Sequence, residues 1–218
     1  MSLSLISYGK IKEIDKLHDV ISKIRFPKFA GQKAYRYICA CDVAYHETKG
    51  RRLAIAAAVL YDCISRRIVE KETIISQNPL PYVPGYFFAR ELPPIVSVLK
   101  KVHSRADFIL VEGHGRLHPR RSGLAVYVGV FFDKPTLGVA KTLYVGQVSN
   151  IKRNVSEVVY ENKVLGQMIF TPNLNRRYYV SVGYKMTLEK AVEIVTNLLA
   201  LGTDLIQEAH LLSKTLNS

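Results

Sequence analysis

Three acidic residues stand where an apolar segment meets polar sequence. Asp42 interrupts the apolar run ICACDVAY, Glu112 ends the run FILVE, and Glu91 follows FFAR where a helical pattern begins. A charge in a buried strand is costly unless it is paired or bound to a metal, so each acid alone also fits a salt bridge. If the strands of Asp42 and Glu112 are parallel neighbours, their carboxylates meet at one sheet end. Hard oxygen ligands placed so predict a site for Mg²⁺ or Mn²⁺.

The segment after Glu112 combines flexible backbone with histidines and arginines, in VEGHGRLHPRRSG. Glycines without a Cβ let a backbone or a nucleobase approach closely, which is one use for Gly113 and Gly115; a tight turn is the other. His118 fits either a general acid or base or a hydrogen-bonded core residue. A zinc pair with His114 is disfavoured, because the HExxH pattern is absent.

Two further residues have positions that suggest a role in the same chemistry. Lys141 directly follows the apolar run TLGVA, so its ammonium group reaches the same sheet end if that strand is a neighbour. The alternative is an ordinary lysine at a strand end. Tyr82 lies in the loop QNPLPYVPG, where Pro81 and its neighbours stiffen the backbone. An aromatic tip on a stiff loop predicts a wedge between base pairs, although a tyrosine packed on the surface explains it too.

The elements that position these residues are read from periodicity and turn signals. Strands are predicted over 35–45, 53–61, 68–75, 106–111, 135–140, 164–170 and 178–182. Helices are predicted over 8–24, up to Val102, over 119–131 opening at Pro119, over 187–199 capped by Thr187, and over 203–216. Alternating strands and helices favour an α/β or mixed α+β fold with a sheet covered on both faces. No linker divides the chain, so 1–218 is expected to form a single domain.

Composition narrows the class of partner. The chain has 218 residues and a formal net charge of +13, which favours a polyanion such as nucleic acid over a neutral partner, with an anionic membrane surface as the other option. Cys39, Cys41 and Cys63 have no zinc spacing and are expected to be reduced thiols. No apolar run approaches the ~20 residues of a membrane span, and the N-terminus lacks a signal-peptide core, so a cytoplasmic location is expected.

Four segments together resemble the endonuclease V family: CDVAY, PYVPGYFFARELP, VEGHGRLHPRRSGLA and TLGVAK, within residues 37–194. The resemblance implies a ribonuclease-H-like α/β fold, with a mixed five-stranded sheet in the order 3-2-1-4-5, helices on both faces, and added C-terminal strands and helices. It implies a DNA repair endonuclease that needs Mg²⁺, with Mn²⁺ as a substitute, and acts as a monomer on DNA containing deoxyinosine. Cleavage is expected at the second phosphodiester bond 3′ of the lesion, leaving 3′-hydroxyl and 5′-phosphate ends. An inosine-specific endoribonuclease and a non-catalytic nucleic-acid-binding protein on the same fold are the alternatives.

The resemblance also assigns roles by motif. The metal-site acids would be Asp42, Glu91 and Glu112, with Lys141 and His118 as the other catalytic residues. Nucleic-acid contacts would come from Tyr82 with Pro81 as the wedge, Gly85, Gly113 and Leu124 as the base pocket, and Arg120 and Arg121 at phosphate. The sequence departs from the family at two positions, with Glu112 where aspartate is usual and Tyr184 where histidine is frequent.

Overall fold

The computed structural model describes residues 8–23, 35–48, 50–77, 86–152 and 154–215. The helices are α1 Tyr8–Lys23, α2 Phe87–Val102, α3 Leu124–Phe132, α4 Leu188–Ala200 and α5 Leu205–Lys214. The strands are β1 Tyr37–Thr48, β2 Arg51–Asp62, β3 Arg67–Gln77, β4 Phe108–Glu112, β5 Thr136–Ala140, β6 Gln147–Lys152, β7 Val155–Tyr160, β8 Lys163–Thr171 and β9 Arg176–Tyr184. Pro81, Tyr82 and Gly85 lie outside the described residues.

All nine strands form one sheet, in the order β3-β2-β1-β4-β5-β9-β8-β7-β6. The first five follow the expected order 3-2-1-4-5, and the β1–β4 and β4–β5 pairs are parallel. The expected five-stranded core is confirmed, and the sheet is larger than that core because β9 pairs with β5 and carries the meander β6–β8 into the same sheet. The β6 and β7 segments were not predicted as strands. The segment of β6, QVSNIK, is mostly polar, and that of β7, VSEVVY, places Val158 and Val159 side by side, so neither shows the strict alternation that marks a strand.

Helices cover the sheet on both faces and bury two apolar clusters. One lies under α2 and α3 and includes Cys39, Cys41, Ile109 and Val111. The other lies under α4 and α5 and includes Ile38, Ala40 and Leu110. Because side chains alternate along a strand, each strand supplies both clusters. Cys39 and Cys41 are free and buried on one face, as expected, and burial raises the pKa of the Cys39 thiol to about 12.

The helix boundaries test the sequence signals directly. Thr187 caps α4 as predicted, accepting a hydrogen bond from the Lys190 amide at 3.2 Å. The predicted start of α3 at Pro119 is wrong. Arg121 adopts a positive φ of 54°, which a right-handed helix does not allow, so α3 begins only at Leu124. Residues 113–123 therefore form a loop beside the sheet end. Within the described chain, every helix is too short or too polar to cross a membrane.

Candidate active site

Asp42 and Glu112 lie side by side on neighbouring parallel strands. Cys41 of β1 pairs with Val111 of β4, so Asp42 and Glu112 are the next residue along each strand. The apolar residues before them alternate between the two cores, which places both acids on the α5 face. Asp42 is only 3% exposed and the Glu112 side chain 23%. The sequence thus delivers two carboxylates to one sheet end.

Glu91 joins this pair electrostatically from α2. It is buried, and its pKa lies well above the usual range because of that burial and because the charges of Asp42 and Glu112 are near; Arg90 opposes the shift. The pKa of Glu112 is raised to about 7, first by burial and then by Asp42, with Lys141 opposing. Carboxylates held close out of water repel one another, and either protons or a cation relieves that repulsion.

Lys141 supplies one positive charge to this group. It follows the last residue of β5, and β5 is the parallel neighbour of β4. Its Nζ lies 3.7 Å from Glu112 Oε1, so the lysine and the acid occupy the same sheet end. At this distance the contact is an ion pair without a short hydrogen bond.

Helix α5 contributes two polar residues that were not predicted from the sequence. His210 Nδ1 lies 2.8 Å from Asp42 Oδ2, and Ser213 Oγ lies 3.0 Å from the same oxygen. Because a carboxylate only accepts hydrogen bonds, His210 carries its proton on Nδ1. Both contacts occupy Oδ2. Their spacing of three residues in the sequence predicts that His210 and Ser213 share one helix face, but it does not indicate which strand that face contacts.

The loop after Glu112 packs tightly because of its glycines. A Cβ on Gly115 would stand 2.1 Å from the carbonyl oxygen of Val182, so no other residue fits against β9 there. Gly113 has a φ of +130°, a conformation that favours glycine. The close approach predicted at these glycines is made at Gly115, by the backbone of β9. A Cβ on Gly113 would meet only the Leu124 side chain, at an ordinary contact distance of 3.8 Å.

A cavity of about 400 Å³ opens beside the acids. Its lining joins the sheet end to the loop and to α2 and α3: Phe87, Phe88, Glu112, Gly113, His114, His118, Ser122, Gly123, Leu124, Ala140, Lys141, Thr142, Leu143 and Tyr144. Glu112 and Lys141 thus border the same space as Gly113 and Leu124, the residues expected to hold a base.

The two histidines that line the cavity are neutral. Burial lowers the pKa of each to about 4, and His18, His114 and Arg120 add to the effect on His118. The Arg120 amide donates to His118 Nδ1 at 3.2 Å, so the ring proton of His118 is on Nε2. His114 Nε2 lies 3.0 Å from the Thr142 carbonyl oxygen. Near neutral pH, His118 is suited to hydrogen bonding and unsuited to donating a proton as an imidazolium.

The remaining predicted residues occupy varied positions. Arg120 pairs with Asp15 at 2.7 Å and Arg121 with Glu161 at 2.6 Å, so both arginines already have acidic partners. Tyr184 pairs with Thr136, the first residue of β5, at the strand end opposite Lys141. The departure from the family pattern at Tyr184 therefore does not alter the acid group.

The chemistry of Asp42, Glu91 and Glu112 suits a divalent cation more clearly than the spatial arrangement of these three side chains does. Three carboxylates offer only oxygen, the ligand that Mg²⁺ and Mn²⁺ prefer. Across the described ranges, however, no three His, Cys, Asp or Glu side chains form a ready-made metal cluster. The fit to a metal rests on the donor chemistry and on the burial and mutual repulsion that raise the pKa values of Glu91 and Glu112.

Comparison with known proteins identifies the family of this chain. The family model for endonuclease V matches residues 19–204. The endonuclease V of Thermofilum pendens is 40% identical over 163 residues, which are 75% of this chain and 68% of the relative.

Solved structures show the same fold. The endonuclease V of Streptomyces avermitilis superposes with a TM-score of 0.79 at 26% identity, covering 93% of this chain and 91% of its own. That of Ciona intestinalis, in complex with a 23mer DNA containing an inosine followed by a ribo-adenosine, gives a TM-score of 0.79 at 23% identity, covering 96% and 97%. By sequence and by fold, this chain belongs to the endonuclease V family of nucleases.

Proposed function

We propose that this protein is a metal-dependent endonuclease that recognises deaminated adenine in DNA and hydrolyses the second phosphodiester bond 3′ of the lesion. The products are 3′-hydroxyl and 5′-phosphate ends. The observation that carries the proposal is that the carboxylate group at the sheet end lies next to a cavity. Glu112, which stands beside Asp42 and acts electrostatically on Glu91, borders a cavity of about 400 Å³, which is a volume suited to a small ligand such as a nucleobase.

The acids supply the reaction centre. Asp42 and Glu112 are the residues that hold Mg²⁺ or Mn²⁺, with Glu91 as a third carboxylate nearby. When bound, such an ion supplies an activated water and stabilises negative charge on the scissile phosphate. His210 and Ser213 both contact Oδ2 of Asp42, which fixes the orientation of a carboxylate that would hold the ion. Lys141 beside Glu112 stabilises charge as the phosphate reacts.

The cavity supplies recognition. An enzyme that inspects a base must turn it out of the helix at a cost of a few kcal/mol, and a mismatched base such as hypoxanthine costs least. Hypoxanthine carries an oxygen at C6 and a proton on N1, so backbone groups beside Gly113 can distinguish it from adenine. Neutral His118 offers an Nε2 donor in the same lining. The inosine-containing DNA in the Ciona intestinalis structure supports this choice of substrate.

The wedge and the phosphate contacts complete the proposal. By the family resemblance, the proposed wedge that fills the stack left by the base is Tyr82 with Pro81, and Gly85 is assigned to the base pocket; all three lie outside the described residues. Arg121 meets the phosphate backbone after exchanging Glu161 for phosphate, and Arg120 meets it through guanidinium hydrogens that Asp15 does not use. Since no residue needs to break the glycosidic bond, the altered base stays attached to the product.

A substrate panel tests the reaction directly. Oligonucleotide duplexes carrying inosine, uracil, a mismatch or unmodified adenine are incubated with the protein and Mg²⁺, with an inosine-containing RNA as a separate arm. We expect nicking of the inosine duplex, mapped on a sequencing gel to the second bond 3′ of inosine, and no nicking with EDTA. Asp42→Asn is expected to abolish cleavage, because it removes a metal-binding charge.

Four results would contradict the proposal. Equal cleavage of the inosine and adenine duplexes would exclude recognition of the lesion. Full activity in EDTA, or in Asp42→Asn, would exclude the metal role of the acids. Binding without any cleavage across the panel would favour a non-catalytic nucleic-acid-binding protein, and preference for the RNA arm would favour an endoribonuclease.

A further inference from the structure

We infer that His18 of α1 is a positioning residue for the base pocket, holding Ser122 and His118 in place from behind; the inference rests on the function proposed above. His18 is fully buried although it belongs to the first helix of the chain. It stands one position before the segment that matches the family model, residues 19–204. Its neighbours are residues that line the cavity.

A chain of hydrogen bonds links His18 to the pocket loop. His18 Nδ1 lies 3.0 Å from Ser122 Oγ, and Ser122 Oγ donates to the Arg120 carbonyl at 3.0 Å. Since the hydroxyl has one proton, Ser122 accepts from His18 in this arrangement. The Tyr127 hydroxyl also contacts His18 Nδ1. Ser122 is itself fully buried and borders the cavity. His18 thereby fixes a polar group that faces the ligand space.

Ring contacts place His18 against the same wall. Its imidazole stacks on that of His118, with centroids 6.0 Å apart and an interplanar angle of 18°. Phe88 meets it edge-on at 4.5 Å, and Phe88 in turn stacks on Tyr127 at 3.9 Å. His118 and Phe88 both line the cavity. The imidazole therefore supports three lining residues, through hydrogen bonding to Ser122 and through ring packing on the other two.

A second residue of α1 anchors the same wall. Asp15, three residues before His18 and so on the same helix face, accepts from the Tyr86 hydroxyl at 2.8 Å and from Arg120 at 2.7 Å. Tyr86 directly precedes α2, and Arg120 belongs to the pocket loop. Helix α1 thus ties the loop to the start of α2. A wall held in this way does not need to be ordered when a ligand binds, and preorganisation of that kind improves affinity.

Two substitutions separate the hydrogen bond from the ring. His18→Phe keeps a buried ring but removes the nitrogen, whereas His18→Asn keeps a group able to donate to Ser122. In single-turnover cleavage of the inosine duplex with enzyme in excess, we expect His18→Phe to raise the half-saturating enzyme concentration about fivefold, the effect of one lost hydrogen bond, with the maximal rate unchanged. His18→Asn should recover most of the loss. Val20→Ala, at an exposed position on the same helix, is the matched control.

A double-mutant cycle tests whether His18 acts through Ser122. Because the two residues share one interaction, adding His18→Phe to Ser122→Ala should have little further effect on half-saturation. A purely structural loss would lower the active fraction of enzyme, which also raises half-saturation in total enzyme, so each concentration is expressed per active site, counted by titration with the inosine duplex; on that scale a structural loss leaves half-saturation unchanged. The inference is overturned if His18→Phe saturates like the wild type, or if His18→Asn is impaired as strongly as His18→Phe.

A readout without substrate tests the contact independently. The groups that act on the pKa of His118 are His18, His114 and Arg120, and each lowers it in addition to burial. In ¹⁵N imidazole spectra, the midpoint of His118 should therefore rise from about 4 in His18→Phe. An unchanged midpoint overturns the inference. A wild type that does not distinguish inosine from adenine overturns the proposed function alone, since this titration still reports on His18.

Discussion

Glu112 is a carboxylate whose charge is costly in the folded protein without a cation. Burial and the nearby Asp42 raise its pKa to about 7, although Lys141 lies 3.7 Å away. In the unfolded chain, the same group titrates near 4.5. Between these two values the folded state holds the proton more tightly. Glu112 therefore contributes stability below about pH 4.5, and this contribution is lost as the pH rises through 7.

Replacing Glu112 with glutamine should stabilise the metal-free protein at alkaline pH. Glu112→Gln removes the charge that opposes folding, so the gain in the free energy of unfolding over the wild type should be larger at pH 8 than at pH 5, by roughly 2 kcal/mol. Urea unfolding in EDTA measures it. Saturating Mg²⁺ should reverse the order, because only the wild type keeps both acids for the ion. An equal gain at both pH values would contradict the raised pKa.

Helix α5 orients the Asp42 carboxylate, although the helix lies far from Asp42 in the sequence. Its residues His210 and Ser213 both contact Asp42 Oδ2, while the buried Leu205, Ile206 and Ala209 seat the helix on the sheet. Mutation of a group that orients a metal-binding carboxylate typically lowers metal affinity 10- to 100-fold. The packing of α5 is thus coupled to the chemistry at β1.

Removing the imidazole should weaken metal binding more than it weakens the fold. For His210→Ala we expect a 10- to 100-fold loss of Mn²⁺ affinity by titration calorimetry, and for Ser213→Ala a loss of about fivefold. Leu211→Ala, at a position 54% exposed on the same helix, should bind Mn²⁺ like the wild type. Wild-type affinity in His210→Ala would show that the contact to Asp42 does not orient the metal site.

These elements also show how far the sequence leads. The apolar runs predicted β1, β4 and β5, and an acid at the end of a run predicted where Glu112 stands. The register that sets Asp42 beside Glu112 depends on pairing between strands about 70 residues apart, which periodicity does not encode. The contact from His210 spans 168 positions. No local pattern indicates which strand a helix covers, so α5 could be predicted as a helix but not as part of the site.

The distribution of charge over the whole molecule sets how it meets nucleic acid. The net charge of +13 attracts a polyanion, yet the two arginines of the pocket loop are engaged by Asp15 and Glu161. Arg121 also lies over the Tyr160 ring at 4.9 Å, so the turn between β7 and β8 holds it from two sides. If the protein acts on DNA as proposed, phosphate must compete with these contacts. Asp15 and Glu161 therefore lower the number of cations that phosphate can use.

Releasing Arg121 should strengthen DNA binding and make it more dependent on salt. Each phosphate neutralised steepens the slope of log affinity against log salt by about 0.9, so Glu161→Gln should steepen it by up to that amount if Arg121 then meets phosphate. Fluorescence anisotropy with a duplex between 50 and 200 mM salt, a range suited to this effect, measures the slope. Glu193→Gln is the matched control: it removes an equal charge from a pair with Lys190 on α4, none of whose described residues lines the cavity. If long-range attraction alone acts, Glu161→Gln and Glu193→Gln should change the salt slope equally. If phosphate replaces Glu161 at Arg121, only Glu161→Gln should steepen the slope. Adding Arg121→Gln to Glu161→Gln should then restore the wild-type slope.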